Sequence, residues 1–310
     1  MDAANEHPET QNMIVITTPT GQIGGRLLDI LLNESPTCSD ELRVIVRDPA
    51  RLPAAVRSRV DVVTGSHGDA EVADRAFAGA DAVFWVVPPA PRTPSLNDMY
   101  SGFTRAAAKA FTTHGVGHVV GVSALGRGTP MAGRAGHVTA SLAMDDLIAS
   151  TGVAYRALAN PTFMDNLLWE VASIRDDGVF TSTVAADRAA PLAATRDIAA
   201  AAAGLLRDRS WSGTGEVRVL GPEDLSPNDM ARIMSDVLGR PVRYQQQSLD
   251  EFRAALVGRG VGEALVAGYV DMMRAKDDGL DGGLRRTPET TSPTTFREWC
   301  EQVLKPAVQA

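Results

Sequence analysis

The sequence predicts an α/β protein built on a parallel sheet, and three stretches carry that expectation. Met13-Ile14-Val15-Ile16 is a short apolar run rich in β-branched residues, as in a buried strand. Small residues follow over 17–25, and Ile23, Leu27 and Leu31 then recur at every fourth position, as on one face of a helix. Asp81-Ala82-Val83-Phe84-Trp85-Val86-Val87 is almost continuously apolar, as in a central parallel strand covered on both faces.

Strand, glycine turn and helix together have the form of a dinucleotide-binding βαβ opening. A helix N-terminus presents unpaired N–H groups and the positive end of its dipole to a pyrophosphate. Gly21 lets the backbone approach the phosphates, and Gly24 lets helix and strand pack closely. Thr18 stands where the first glycine of such turns is usual, and Pro19 follows it; proline pushes Thr18 towards extended geometry. A lone G-x-x-G also fits any strand-to-helix turn. The second strand, Leu42-Arg43-Val44-Ile45-Val46, adds a matched feature, because it ends at Arg47. That place, about twenty residues past the glycines, meets the adenosine ribose; a carboxylate there suits the 2′-OH of NAD and an arginine the 2′-phosphate of NADP. A guanidinium grips phosphate through two parallel bonds.

Composition bounds the rest. A chain of 310 residues, 44% apolar and 22% charged, buries a full core in one large domain or in one domain plus a smaller lobe. A net charge of −8 without a basic stripe argues against a nucleic-acid surface. Cys38 and Cys300 are too few for a disulfide framework or a zinc site. No apolar stretch approaches the roughly 20 residues of a membrane span. Residues 1–12 are polar and lack the apolar core of a signal peptide, so they form a loose tail, and a soluble cytoplasmic protein is expected.

In chain order, 60–65 is a third strand, and Gly65-Ser66-His67-Gly68 lies at its C-terminal end, where an adenine sits. A helical stretch at 73–80 precedes the strand at 81–87. That strand stops at Pro88-Pro89-Ala90-Pro91, beside the crevice where open α/β sheets bind ligands. A helix over 97–112 and a fifth strand over 118–123 follow. Gly115 and Gly117 keep His114 and His118 off a shared helix, so they form no metal pair. Residues 124–136 are glycine-rich, 137–150 helical and 153–158 a sixth strand, which runs into Asn160-Pro161-Thr162-Phe163-Met164-Asp165-Asn166.

In order and spacing, ITTPTGQIG, VRDP, the strand ending VSALG, YRALANPTFMDN and the later GPEDLSPNDMARIMSDVLGRPVRY resemble the NmrA-like, atypical branch of the short-chain dehydrogenase/reductase superfamily, over roughly residues 13–305. The resemblance implies a Rossmann-type doubly wound parallel sheet at 13–160. It implies a smaller C-terminal α/β lobe at 161–310, with strands free to return to the main sheet, and NADPH or NADP as ligand. By position, Thr18, Thr20, Gly21, Gln22, Ile23 and Gly24 cradle the pyrophosphate, Arg47 binds the 2′-phosphate and Ser66 lies at the adenosine. Val87, Pro88 and Ser123 flank the ribose and nicotinamide; Pro161, Thr162 and Phe163 close over the nicotinamide; Pro89, Asn166 and Trp169 lie near the substrate pocket. Two residues depart from the family pattern: Thr18 replaces the first glycine, and Asn160 stands where relatives often carry arginine.

The superfamily's Tyr-x-x-x-Lys pair is absent. Tyr100, Tyr155, Tyr244 and Tyr269 are followed four residues on by Thr104, Ala159, Ser248 and Met273. The helix that carries the pair begins His137-Val138-Thr139-Ala140-Ser141, with serine in the lysine's place. A quinone or a conjugated acceptor needs little general-acid help, because the cofactor carries the hard chemistry. Two readings of His137 stand side by side: a proton source near neutral pH, or a side chain that packs its helix start. Ser123 either hydrogen-bonds a substrate carbonyl or the cofactor, or packs a strand end. The expected activity is NADPH-dependent reduction of a small carbonyl, quinone or conjugated compound. Its rival, favoured by the missing tyrosine and lysine, is a non-catalytic NADP(H) sensor acting through a protein partner. A homodimer is open on either reading.

The second half predicts an alanine-rich helix at 199–206, a strand at 217–220 and a helix started by Ser226, Pro227 and Asp229. Met230, Ile233, Met234, Val237 and Leu238 line that helix as core. A short strand at 242–244 follows. The glycine-broken helical region at 249–273 packs, or lines a pocket, through Phe252, Leu265, Val266 and Tyr269. Residues 277–295 read as a mobile flap or linker. The last helix starts at Thr295 with Glu298 completing a capping box, and it buries Phe296, Trp299, Cys300, Val303 and Leu304.

Overall fold

The computed structural model describes residues 12–33 and 40–310; the polar tail before residue 12 and Cys38 lie outside them. The first half runs β1 (Met13–Thr17), α1 (Gln22–Asn33), β2 (Glu41–Val46), α2 (Ala54–Arg57), β3 (Asp61–Thr64), α3 (Ala70–Phe77), β4 (Ala82–Trp85), α4 (Phe103–His114), β5 (His118–Ala124), α5 (His137–Ala149) and β6 (Ala154–Asn160). The second half holds β7 (Thr162–Phe163), α6 (Val171–Asp177), β8 (Val179–Ser182), β9 (Ala190–Ala193), α7 (Thr195–Arg207), β10 (Thr214–Arg218), β11 (Asp224–Leu225) and α8 (Pro227–Leu238). It ends with β12 (Arg243–Gln246), α9 (Leu249–Gly258), α10 (Glu263–Asp277), α11 (Phe296–Trp299) and α12 (Lys305–Gln309).

Seven strands form one parallel sheet in the order β10-β6-β5-β4-β1-β2-β3. This is the expected doubly wound Rossmann sheet. Its order reverses between β1 and β4, and beyond the C-terminal ends of these strands lies the crevice where such sheets bind ligands. Alternation along the strands feeds two cores. Ile14 and Ile16 pack with Leu27 of α1 and Ala202 of α7, whereas Val15 packs with Phe77 of α3, Phe111 of α4 and Met144 of α5. Phe84 and Trp85 of β4 are wholly buried, one on each face, as the unbroken apolar run requires.

The second half completes the first. β10 hydrogen-bonds to β6 and so extends the main sheet, and it lies three residues earlier than the strand read from the sequence. A third core, with Met234, Phe296, Trp299 and Leu304 at its centre, holds α8 and the last helix against β8 and β9. Two buried carboxylates fix α7. Asp165 accepts from the Thr195 N–H (3.0 Å) and hydroxyl (2.7 Å), and Asp197 accepts from the Thr294 N–H (3.1 Å) and hydroxyl (2.7 Å). Each carboxyl group thus has both oxygens engaged.

Several sequence expectations are corrected here. α7 begins at Thr195, so Arg196 and Asp197 lie within its first turn and not ahead of it. α6, β8 and β9 carry no clear periodicity and were not anticipated. Residues 249–273 are two helices, joined where the Gly262 N–H donates to the Pro91 carbonyl (2.8 Å). The polar segment 277–295 is anchored, not loose: Leu280, Asp281, Ser292 and Thr294 are buried, Leu220 pairs with Thr291, and Arg286 Nε donates to the Gly221 carbonyl (2.7 Å). Backbone pairing and the Arg286 contact tie the segment to the fold, which composition does not reveal. Among the described residues no helix is long and apolar enough to cross a membrane, and no group of His, Cys, Asp and Glu is placed to hold a metal ion.

Candidate active site

The C-terminal edge of the sheet gathers most of the residues singled out from the sequence. At its centre Thr17 is fully buried and ties two strand ends together: its hydroxyl donates to the Phe84 carbonyl (2.9 Å) and accepts from the Val86 N–H (3.0 Å). Thr18 then takes φ +52°, left-handed and not extended as the sequence predicts. Pro19 disfavours the right-handed region for Thr18. The turn must still fold back, since the Gly21 N–H closes on the Thr18 carbonyl at 2.9 Å, so the left-handed region is what remains. A β-branched residue there is strained by roughly 1–3 kcal/mol.

That turn dictates the glycines. A Cβ at Gly24 would stand 2.3 Å from the Thr18 carbonyl oxygen, whereas one at Gly21 would stand 3.3 Å from it. The helix therefore meets the turn only if residue 24 lacks a side chain. Ile23 and Gly24 are buried, while Thr20, Gly21 and Gln22 leave the start of α1 open to solvent. An exposed helix N-terminus behind a close-packed glycine fits a pyrophosphate.

Arg47 is exposed directly after β2, and its charge reaches His67. His67 pins the β3 loop to the end of β4. Its Nε2 lies 2.8 Å from the Val86 carbonyl, which can only accept, and its ring meets Trp85 and Phe103 edge-on at 5.0 and 4.8 Å. Burial, with the Arg47 charge in the same direction, lowers its pKa to about 4, so it is neutral at pH 7. Ser66, whose hydroxyl oxygen accepts from the Gly68 N–H (3.3 Å), sits in this pinned loop. Val87 and Pro88 follow β4 half-buried, and Pro89 is exposed.

At the other end of the edge, Ser123 is buried near the end of β5. Its carbonyl accepts from Asn160 Nδ2 (3.1 Å), which also donates to the Leu158 carbonyl (2.7 Å). Asn160 Oδ1 is left without a partner although the residue is only 3% exposed. Pro161 is buried, and Thr162 and Phe163 form β7, paired with Leu192 and Ala193 of β9. Asn166 is exposed, and Trp169 stands 77% exposed, so neither lines a closed pocket.

The geometry of His137 favours the packing reading. The residue is buried under α10, with Nε2 3.2 Å from the Leu265 carbonyl, Nδ1 3.3 Å from the Tyr100 hydroxyl and the Tyr269 ring 4.0 Å away. The Leu265 carbonyl requires the hydrogen on Nε2, so Nδ1 accepts from Tyr100. Burial lowers its pKa to about 4. Leu265 and Val266, candidate pocket residues by sequence, are buried here as packing. Ser141, in the lysine's place, lies 3.2 Å from the Ser123 hydroxyl. Asp145 and Tyr155, which complete this polar group, were missed; the only sequence signal is the spacing of His137, Ser141 and Asp145 along one helix face.

Fold, open helix start and an exposed arginine after β2 are compatible with a dinucleotide ligand. A family model described as NAD(P)H-binding matches residues 19–208. The (4-alkanoyl-5-oxo-2,5-dihydrofuran-3-yl)methyl phosphate reductase of Streptomyces griseus is 31% identical over 251 residues, 80% of this chain and 81% of that protein. The NAD(P)H azoreductase of Xenophilus azovorans is 27% identical over 292 residues, 93% of this chain and 97% of that protein. Among solved structures, an NADPH-dependent quinone oxidoreductase from Escherichia coli complexed with NADPH superposes with a TM-score of 0.74 at 25% identity, over 92% of this chain and 98% of that one. The chain belongs to the NAD(P)H-binding family, in its NmrA-like branch of atypical short-chain dehydrogenases/reductases. It is an NADPH-dependent oxidoreductase, and the glycine cradle and Arg47 fit that cofactor.

Proposed function

We propose that this protein reduces a quinone or a related electron-poor conjugated compound, and that Ser123 meets the acceptor oxygen. Bound NADPH supplies the hydride. Within that class of enzyme one observation narrows the acceptor: the superfamily's tyrosine and lysine are replaced by a buried, neutral His137 and by Ser141. A hydroxyl is then the polar group offered at the end of β5. Acceptors that spread the incoming charge over a conjugated system are the ones such a site can reduce. The relatives, named for an oxo-dihydrofuran, an azo function and a quinone, support the same class. In this reading Thr18 and Thr20 to Gly24 hold the pyrophosphate, Arg47 the 2′-phosphate and Ser66 the adenosine end. Val87, Pro88, Pro161, Thr162 and Phe163 flank the nicotinamide; Pro89, Asn166 and Trp169 rim the acceptor's entrance; the reaction belongs in the cytoplasm.

The test is NADPH absorbance with purified protein and a panel of para-quinones, azo dyes and unsaturated lactones. Loss that needs both protein and acceptor is the expected result. Tight NADPH binding with no consumption across the panel would point instead to an NADP(H) sensor.

A further inference from the structure

Behind Ser123 the fold buries a carboxylate that hydride transfer alone does not need. Asp145 is 3% exposed, on the face of α5 turned to the sheet. The Ser123 hydroxyl donates to its Oδ2 at 2.5 Å, and the Tyr155 hydroxyl donates to its Oδ1 at 2.6 Å. Arg127 lies 3.7 Å from Oδ2 and also pairs with Asp146 and Glu216, at 2.8 and 3.0 Å. A glycine makes the room: a Cβ at Gly121 would stand 2.3 Å from the Tyr155 hydroxyl. Gly121 and Ser123, two apart on β5, share the strand face turned to α5. Packing explains a carboxylate satisfied by Tyr155. It does not explain why the second oxygen engages the hydroxyl at the sheet's C-terminal edge.

We infer that Asp145 is a positioning residue for Ser123 and the store of the proton that Ser123 passes to the acceptor oxygen, an inference that rests on the reductase reading above. With Asp145 ionised, the Ser123 hydrogen is committed to the carboxylate and Ser123 offers only lone pairs. With Asp145 protonated, the carboxyl hydrogen lies on Ser123 Oγ and Ser123 is free to donate. As the acceptor takes two electrons with the hydride, its oxygen takes the Ser123 hydrogen and Ser123 Oγ takes the Asp145 hydrogen. Asp145 is left ionised beside Arg127 and Tyr155, and one solvent proton restores it. The sum is acceptor plus NADPH plus H⁺ giving reduced acceptor plus NADP⁺.

The surroundings suit the role. Burial pushes the Asp145 carboxyl up to about 6 against the hydrogen bonds from Ser123 and Tyr155 and the charge of Arg127, and Glu216 adds to the rise. The charged and titratable groups facing it are thus Arg127 after β5, Glu216 on β10, Tyr155 on β6 and its neighbour Asp146.

Two measurements test this. In cofactor-free protein, carboxyl ¹³C NMR is expected to show an aspartate titrating near pH 6. That signal should vanish in Asp145→Asn and move to higher pH in Arg127→Gln and Tyr155→Phe, which each lose a group favouring the ionised form. In turnover with NADPH and 2-methyl-1,4-naphthoquinone, kcat/KM should fall as pH rises through the same midpoint. Arg127→Gln should carry the kinetic midpoint upward with the NMR midpoint. Asp145→Asn should lose about tenfold or more below the midpoint and show no such fall, while Asp145→Glu restores part of the rate. An active wild type whose pH profile is unmoved by Arg127→Gln and Asp145→Asn, or an Asp145 signal in the ordinary aspartate range, overturns the inference alone. A wild type that binds NADPH but oxidises it with none of the panel's acceptors overturns the reductase reading and this inference with it.

Discussion

Two helices begin at the same edge of the sheet after glycine-bearing turns, and they meet opposite fates. The start of α1 is open, with Thr20, Gly21 and Gln22 exposed. The start of α5 is covered: a Cβ at Gly136 would stand 1.9 Å from the Gly268 carbonyl, and His137 lies beneath Tyr269. Gly24 and Gly136 are both there for close approach, one to its own turn and the other to α10. A helix N-terminus with free N–H groups is an anion site only where nothing else sits on it. The open start is left free for the proposed pyrophosphate, and the covered one locks the second half of the chain onto the first.

The sharpest way to break this contrast is a pair of alanines. Gly24→Ala should lower NADPH affinity about a hundredfold or more, near 3 kcal/mol, because the turn must move away from the helix. Gly136→Ala, at φ +53°, should cost about 3 kcal/mol of stability and leave NADPH affinity within about twofold. Calorimetric titration and thermal melts of both variants separate the two outcomes, and a folded Gly136→Ala without NADPH binding would undo the distinction.

Titration sets the two regions on one scale. His67 in the open region and His137 in the covered one both drop from 6.5 to about 4. Their stabilisation, about 3 kcal/mol each, is full above pH 6.5 and is lost as pH falls through 4. Asp145 runs the other way: raised from 3.8 to about 6, it contributes stability present below pH 3.8 and lost as pH rises through 6. Two groups against one predict net loss of stability on acidification, by about 3 kcal/mol, visible as a falling denaturant midpoint between pH 6.5 and 4. His137→Phe should flatten that slope, and Asp145→Asn should steepen it.

Smaller effects sharpen the open region. Arg47→Ala should weaken NADPH about 10- to 100-fold and leave NADH unchanged, since a charge-assisted bond to the 2′-phosphate is lost. Equal losses for both cofactors in a binding titration would remove Arg47 from the 2′-phosphate. Thr18→Gly should raise stability by about 1 kcal/mol, the left-handed strain relieved less the added freedom of the unfolded chain. An unchanged unfolding midpoint would mean that the turn carries no such strain.

Much of the main sheet was legible because its signals are local. The β-branched run at 13–16, the unbroken run at 82–85 and the fourfold spacing of Ile23, Leu27 and Leu31 each lie within one element. The capping boxes at Ser226 and Thr295 are read the same way, from residues three apart. Short elements such as β7, β9 and β11 were not legible, since two to four residues hold no period and owe their conformation to their partners.

By itself, then, the chain's order of residues determined the parallel sheet, the glycine turn and the place of Arg47, because strand burial, helix face and turn chemistry are set by neighbours along the chain. Tertiary structure alone decided that Thr18 is left-handed and that α10 closes over His137. It also decided that Asp145, Ser123 and Tyr155, from one helix and two strands, share a buried hydrogen-bond network. Those outcomes depend on contacts between residues distant in sequence, and on which helix start another element happens to cover.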